Sequence, residues 1–209
     1  MGAFLVSVAG FKKSGKTTVA CSLIAELSAR GYRVAALKRS HLRRLSLDPR
    51  GTDSRRLLDA GALFVAARAR EQTLTVLCGE QPADLQDLLA QAPASAQFVV
   101  LEGSPGGLPA AVVLCLREAE QLEETLRARG LNPGALIALS GLFAADPQAA
   151  ADLRAPAAAG AGGLPPVFNV LEPAQRRALC ERVLAAAGGP RPAGAPSGPL
   201  AQDPSWRPE

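Results

Sequence analysis

Between an apolar run and a helical pattern stands the sequence Gly10-Phe11-Lys12-Lys13-Ser14-Gly15-Lys16-Thr17. It fulfils the phosphate-loop pattern Gly-x-x-x-x-Gly-Lys-Thr, in which backbone N–H groups wrap around phosphate oxygens. Residues 3–9, before it, form a nearly continuous apolar run, which is typical of a parallel strand buried on both faces. Residues 16–30, after it, carry apolar side chains at three- and four-residue spacing. Strand, loop and helix in this order predict a P-loop at one edge of an α/β sheet.

The loop and the start of its helix supply the expected contacts to a nucleoside triphosphate. The helix N-terminus contributes a partial positive charge, the Lys16 ammonium meets the β- and γ-phosphate oxygens, and the Thr17 hydroxyl ligates Mg²⁺. Lys16 is therefore a candidate catalytic residue, and Thr17 is a candidate metal ligand. The predicted nucleotide-binding residues are Gly10, Phe11, Lys12, Lys13, Ser14, Gly15, Lys16, Thr17 and Thr18.

Glu102 is the candidate for a second metal ligand and for a catalytic role. It ends the apolar run at residues 98–101, and Gly103 after it lets the backbone pass close to phosphate. A carboxylate at the end of a neighbouring strand can hold Mg²⁺ directly or through water. The alternative is a solvated glutamate at a strand end.

The polar loop after the second predicted strand carries two further candidates. Asp48 and Asp53 flank Gly51, where P-loop proteins often place a residue that senses the γ-phosphate or orients water. We place Asp48 with the metal ligands and Asp53 with the catalytic residues, as the group that orients water. Asp53 is equally suited to cap a short helix. His41, the single histidine, comes without a nucleophile motif.

The composition favours one globular domain with an anionic ligand. The chain has 209 residues, of which 48% are hydrophobic and 20% are charged, which suffices for one packed core. The aromatic share of 4% is low for a surface that stacks bases, so no nucleic-acid partner is expected. The net charge of +4 comes largely from residues near the predicted phosphate site, although a solvated basic face has the same composition. These residues are Lys12, Lys13, Lys16, Lys38, Arg39, Arg43 and Arg44.

Cysteine spacing and the N-terminal run indicate a cytoplasmic protein. The four cysteines lie far apart without the spacing of zinc ligands, and they fit small core residues in a reducing compartment. The run at residues 3–9 is too short to span a membrane and lacks the charged leader of a signal peptide. We therefore expect no membrane attachment. The cysteines are Cys21, Cys78, Cys115 and Cys180.

The rest of the chain continues the α/β pattern. Further strands are predicted at residues 33–37, 63–66, 73–77, 98–101, 112–116, 135–139 and 166–170. Helices are predicted from residue 52 or 53 to 59 and at residues 84–91, 118–129, 148–153 and 173–187. The predicted fold is an α/β P-loop NTPase of three layers, a mostly parallel sheet flanked by helices on both faces. Residues 1–187 form this domain, and residues 188–209, rich in Gly, Pro and Ala, are predicted to be a disordered tail.

Four short motifs follow the P-loop in a fixed order. They are Lys38-Arg39-Ser40-His41, Asp48-x-x-Gly51-x-Asp53-Ser54, Ala60-Gly61-Ala62 and Leu101-Glu102-Gly103. In this order they resemble the molybdopterin-guanine dinucleotide biosynthesis protein B (MobB) family, over about residues 3–117. The resemblance implies a homodimer that binds GTP and Mg²⁺ and hydrolyses GTP slowly. It also implies that molybdopterin and the guanylyltransferase that attaches GMP to it are partners.

The chain departs from the family pattern at several places. Arg39 and Leu42 stand where members usually carry histidines, and Ser104-Pro105 follows Glu-Gly in place of Phe-Lys. Lys12 and Lys13 replace small polar residues in the loop, where they would add phosphate affinity or contact an anionic ligand such as the pterin phosphate. These differences indicate a divergent member.

Three functions share the predicted site. The first is a GTP-binding accessory enzyme of molybdenum cofactor maturation. The second is a small-molecule kinase that holds an anionic acceptor with Lys12, Lys13 and Arg43. The third is an adaptor that binds a partner enzyme in response to nucleotide, without turnover. The choice of guanine follows from the resemblance alone, because no Asn-Lys-x-Asp motif occurs; Ser140-Gly141 and Asn169, at predicted strand ends, are positions where a base could be read.

Overall fold

The computed structural model describes residues 2–39, 56–57, 60–61, 64–68, 73–77, 84–154 and 163–189. The chain divides into two compact units, one of residues 1–39 and 88–209 and one of residues 40–87. Asp48, Asp53 and most of the helix predicted to end at residue 59 lie outside the described residues. So does the predicted tail after residue 189, and these assignments stay predictions.

Seven strands are present in the described ranges, and five of them form one sheet. They are β1 Phe4–Gly10, β2 Val34–Lys38, β3 Phe64–Arg68, β4 Thr73–Leu77, β5 Phe98–Glu102, β6 Ala111–Leu116 and β7 Leu136–Gly141. The sheet has the order β2-β5-β1-β6-β7, and all of its neighbouring strands are parallel. The P-loop strand β1 is therefore central, with β5 on one side and β6 on the other. Strands β3 and β4, predicted at residues 63–66 and 73–77, pair antiparallel in the second unit.

Five α-helices accompany the strands in the described residues. They are α1 Lys16–Ala29, α2 Leu85–Ala90, α3 Leu122–Ala128, α4 Pro147–Arg154 and α5 Pro173–Ala186. Strand β6 shows how they cover the sheet, because its side chains alternate between two cores. Val113 points to the core that contains Leu23 of α1 and Leu179 of α5. Leu114 points to the core against which Leu126 of α3 packs, so helices cover both faces and the three-layer prediction is confirmed.

Two predicted elements differ from the structure. The helix predicted at residues 118–129 begins as a 3₁₀ turn, Ala119–Gln121, before α3. The strand predicted at residues 166–170 is wrong as a strand, because it pairs with β7 only through the bridge between Val167 and Leu139. Two consecutive prolines, Pro165 and Pro166, precede that bridge without N–H donors, and the Asn169 side chain accepts from the Leu171 N–H, which turns the chain away.

The prediction that the cysteines are small core residues is confirmed in part. Cys115 and Cys180 are buried core residues, and burial raises the pKa of the Cys115 thiol to about 12 and that of Cys180 to about 11. Cys21 is exposed on α1, so it is not a core residue. Cys78 lies outside the described residues. None of the described helices has the length and apolar character that crossing a membrane requires.

Candidate phosphate-binding site

The P-loop begins where β1 presses against β6. Gly10 lies opposite Cys115 in the parallel register and has φ of 150°. A Cβ atom at Gly10 would lie 2.2 Å from the Cys115 carbonyl oxygen and 2.7 Å from Ser14 Oγ. A side chain at this position is therefore excluded by backbone atoms that have no room to move.

The loop conformation leaves the first turn of α1 open to an anion. Lys13 adopts a positive φ of 63°, which is unusual for a residue other than glycine, and Gly15 has φ of 86° as the residue before the helix. No side chain caps the N-terminus of α1, and no acidic residue stands in its first turn. The N–H groups of that turn have no intrahelical partner, so together with the helix dipole they favour a bound phosphate.

The end of β7 supports the loop from the other side. The Leu142 N–H donates to the Ser14 carbonyl at 3.3 Å, and Gly141 lies directly beneath the loop. A Cβ atom at Gly141 would lie 2.5 Å from the carbonyl oxygens of both Ser14 and Leu116. Ser14 itself is buried, and its hydroxyl has no hydrogen-bond partner among the described residues. The sequence signal for this support is a glycine directly after a buried strand.

Lys16 folds back over the loop that it follows. Its ammonium donates to the Phe11 carbonyl. Burial lowers the pKa of the Lys16 ammonium, Glu102 opposes this shift, and the cations Arg129 and Lys38 add to it. The arrangement places the Lys16 charge inside the loop, where a bound phosphate would favour the protonated form.

Glu102 connects the loop to the neighbouring strands. Its Oε1 accepts a hydrogen bond from the Thr17 hydroxyl at 2.9 Å, and its Oε2 lies 3.2 Å from Lys38 Nζ. The parallel register explains both contacts, because Glu102 pairs with Lys38 on β2 and with Val8 on β1, two residues before the loop. The Glu102 side chain is 16% exposed, whereas that of Lys38 is 61% exposed. The structure therefore brings together two of the three predicted metal ligands, Thr17 and Glu102, whereas Asp48 lies outside the described residues.

A buried serine, which sequence reasoning missed, fixes the backbone beyond Glu102. The Ser7 hydroxyl on β1 donates to the Gly103 carbonyl at 2.7 Å, and the Gly103 N–H donates to the Val8 carbonyl at 3.0 Å. Ser7 is fully buried, and this contact satisfies its hydroxyl donor. A polar residue within an otherwise apolar strand was the signal that could have found it.

The other predicted site residues are distributed more widely. Lys12, Lys13 and Thr18 are exposed, on or directly after the loop. His41 and Arg43, like Asp48 and Asp53, lie outside the described residues. The Ser140 hydroxyl is buried and already donates to the Phe168 carbonyl at 2.7 Å, and Asn169 holds the following turn. Neither side chain is free to read a base in this arrangement.

These residues fit a magnesium-bound triphosphate on chemical grounds. A hydroxyl and a carboxylate in contact, Thr17 and Glu102, are hard oxygen donors of the kind that Mg²⁺ takes when phosphates and water complete its shell. The Lys16 ammonium, inside the loop, and the uncapped first turn of α1 form a cradle for phosphate oxygens.

The fold and the site define a protein of the P-loop NTPase class. A family model described as molybdopterin guanine dinucleotide synthesis protein B matches residues 5–132, which is more than half of the chain. The chain therefore belongs to the MobB family, as the sequence motifs predicted.

Individual relatives agree with this assignment. The chain is 38% identical over 87 residues to the molybdopterin-guanine dinucleotide biosynthesis adapter protein of Haemophilus influenzae, covering 42% of this chain and 48% of that protein. It is 34% identical over 102 residues to the protein of the same name from Escherichia coli, covering 47% and 58%. The chain thus spans about half of the length of the curated relatives that it matches.

Solved structures show the same fold. The Bacillus subtilis MobB crystal structure matches with a TM-score of 0.60 at 21% identity, over 85% of this chain and 96% of that one. A MobB homologue from Bacillus stearothermophilus matches with a TM-score of 0.57 at 20% identity, over 87% and 98%. At this identity the likeness supports the fold alone.

Substituting Gly141 tests the support under the loop. Gly141 has φ of 105° and ψ of −163°, a region that only glycine commonly adopts, and an added Cβ would also collide with two carbonyls. We expect Gly141→Ala to lower the free energy of unfolding by about 3 kcal/mol or more, as measured by urea denaturation followed by circular dichroism.

Gly188→Ala is the matched control, because Gly188 has φ of 75° and nothing within 4 Å of an added Cβ. Gly188→Ala introduces the backbone strain without the collision, so it should lower the free energy of unfolding by only about 1 kcal/mol. Equal losses in the two variants would show that Gly141 is not packed against the loop as described.

Proposed function

We propose that this protein is a nucleotide-dependent accessory protein of molybdenum cofactor biosynthesis that binds GTP and Mg²⁺ at its P-loop. In this role it assists attachment of the guanine dinucleotide to molybdopterin, with a guanylyltransferase as its partner, in the cytoplasm and as a homodimer. The observation that carries the proposal is the contact of Thr17 with Glu102 beside Lys16. Membership of the MobB family supports a role for this phosphate site in molybdenum cofactor biosynthesis.

Each site residue has its own role in binding the nucleotide and the metal. Lys16 exchanges the Phe11 carbonyl for phosphate oxygens, so a neutral hydrogen-bond partner is replaced by an anionic one. Thr17 and Glu102 hold the metal, and Lys38 keeps the Glu102 carboxylate in place. The P-loop backbone and the first turn of α1 surround the phosphates.

Slow hydrolysis fits the same geometry. Both carboxylate oxygens of Glu102 are engaged, one by the Thr17 hydroxyl and one by the Lys38 ammonium, which suits a metal ligand better than a free general base. In the proposed site Asp53 orients the attacking water and Asp48 contributes to the metal shell. Positioning of water by one carboxylate, without a dedicated strong base, is consistent with a low turnover rate.

A purely non-catalytic adaptor is the second candidate. The curated relatives from Haemophilus influenzae and Escherichia coli are both called adapter proteins. Such a protein would bind nucleotide to change its affinity for the transferase, and hydrolysis would be incidental.

Replacing Lys16 tests the phosphate site. We expect Lys16→Ala to weaken GTP binding roughly 100-fold or more in isothermal titration with Mg²⁺, because it removes the charge that meets the phosphates. The matched control is Arg33→Ala, which removes one positive charge from an exposed residue just before β2, at the opposite edge of the sheet. Unchanged GTP affinity in Lys16→Ala would reject the P-loop assignment.

Reconstitution with a guanylyltransferase separates the candidate functions. Wild-type protein with GTP should increase the rate of dinucleotide formation from molybdopterin, whereas Lys16→Ala should not. A stimulation that persists with a non-hydrolysable GTP analogue would favour the adaptor. Rapid phosphorylation of an added acceptor without any effect on the transferase would indicate a kinase instead.

A further inference from the structure

A second cation lies against the P-loop from a distant part of the chain. Arg129 follows α3, and its guanidinium carbon lies 5.1 Å from the centroid of the Phe11 ring. Phe11 is the second residue of the loop, and its carbonyl accepts a hydrogen bond from the Lys16 ammonium. Lys16 and Arg129 therefore meet the same loop residue, one through its backbone and the other through its ring.

The backbone of Arg129 is held in place at both of its polar groups. Its N–H donates to the Thr125 carbonyl at 3.0 Å, which ends α3. Its carbonyl accepts from the Ser104 hydroxyl at 2.9 Å, and Ser104 stands two residues after Glu102. The segment that carries Arg129 is thus tied to the same strand end that supplies the metal ligand.

The Arg129 side chain is not neutralised within the described part of the chain. No carboxylate there forms an ion pair with it, and its Nε is buried without a hydrogen-bond partner. Lys16, the other cation beside this loop, donates to the Phe11 carbonyl. Two cations beside one loop, with a buried donor unsatisfied, are complementary to an additional anion at that place.

We propose that Arg129 is a phosphate-contacting residue of the triphosphate site, where its guanidinium leaves the Phe11 ring to bind oxygens of the terminal phosphate. A planar guanidinium suits this contact, because it can donate two parallel hydrogen bonds to one phosphate group. The inference rests on the proposed function, since it assigns a further ligand of the same nucleotide. The alternative is that Arg129 only packs on Phe11 and steadies the loop.

The terminal phosphate distinguishes the two roles. We expect Arg129→Ala to weaken binding of a non-hydrolysable GTP analogue roughly 10- to 100-fold with Mg²⁺, as for loss of a hydrogen bond to a charged group, and to change GDP affinity about three-fold or less. Arg129→Met keeps an apolar stem over Phe11 without the charge, and it should lose affinity as Arg129→Ala does. Arg127→Ala is the matched control, because it removes an exposed arginine from the last turn of α3.

Four results would overturn the proposal. Wild-type affinity in Arg129→Met, or equal losses for the GTP analogue and GDP, would assign Arg129 to packing alone. Losses of affinity of the same size in Arg127→Ala would show that the effect of Arg129 is only that of its positive charge at a distance. A wild-type protein that binds neither nucleotide would reject the proposed function and this inference together, whereas the other three results leave the proposed function standing. Thermal unfolding of each variant confirms that the affinities come from folded protein.

Discussion

The parallel register of three strands, β2, β5 and β1, is the constraint on which the site depends. It sets Lys38, Glu102 and the end of β1 side by side, so that a carboxylate stands between a lysine and the P-loop. Gly10 at the end of β1 lies against the Cys115 carbonyl of β6. Gly141 at the end of β7 lies against the Ser14 carbonyl of the loop, so these two strands also fix the position of the loop. The loop is therefore supported from both sides by backbone atoms, which are far less free to adjust than side chains.

Charge is distributed unevenly around this frame. Lys16 and Lys38 lie near one described carboxylate, Glu102, and Arg129 lies over the Phe11 ring of the same loop. Burial together with the neighbouring cations disfavours the charge on Lys16. A polyanion with a bound divalent metal relieves this imbalance, because it supplies negative charge to the lysine and arginine and a cation to the carboxylate. The electrostatics thus agree with the class of ligand that the P-loop pattern predicts.

Local patterns predicted the parts of the site that are close in sequence. The loop, its strand and its helix follow from residues 3–30, and Glu102 follows from its place at a strand end. Contacts set by tertiary packing could not be predicted: no pattern connects Phe11 with Arg129, or Ser14 with Leu142, because these pairs meet only when α3 and β7 are packed. The strand expected at residues 166–170 failed for a local reason, since two prolines limited its pairing to one bridge.

The most direct test of the account is isothermal titration of the wild-type protein with GTP, first with Mg²⁺ and then with excess EDTA. If Thr17 and Glu102 hold a metal beside a phosphate cradle, GTP binds in both conditions and roughly ten-fold or more tightly with Mg²⁺. ATP, titrated in the same way, binds more weakly than GTP. Equal GTP affinity with Mg²⁺ and with EDTA, or no binding at all, would contradict the central claim.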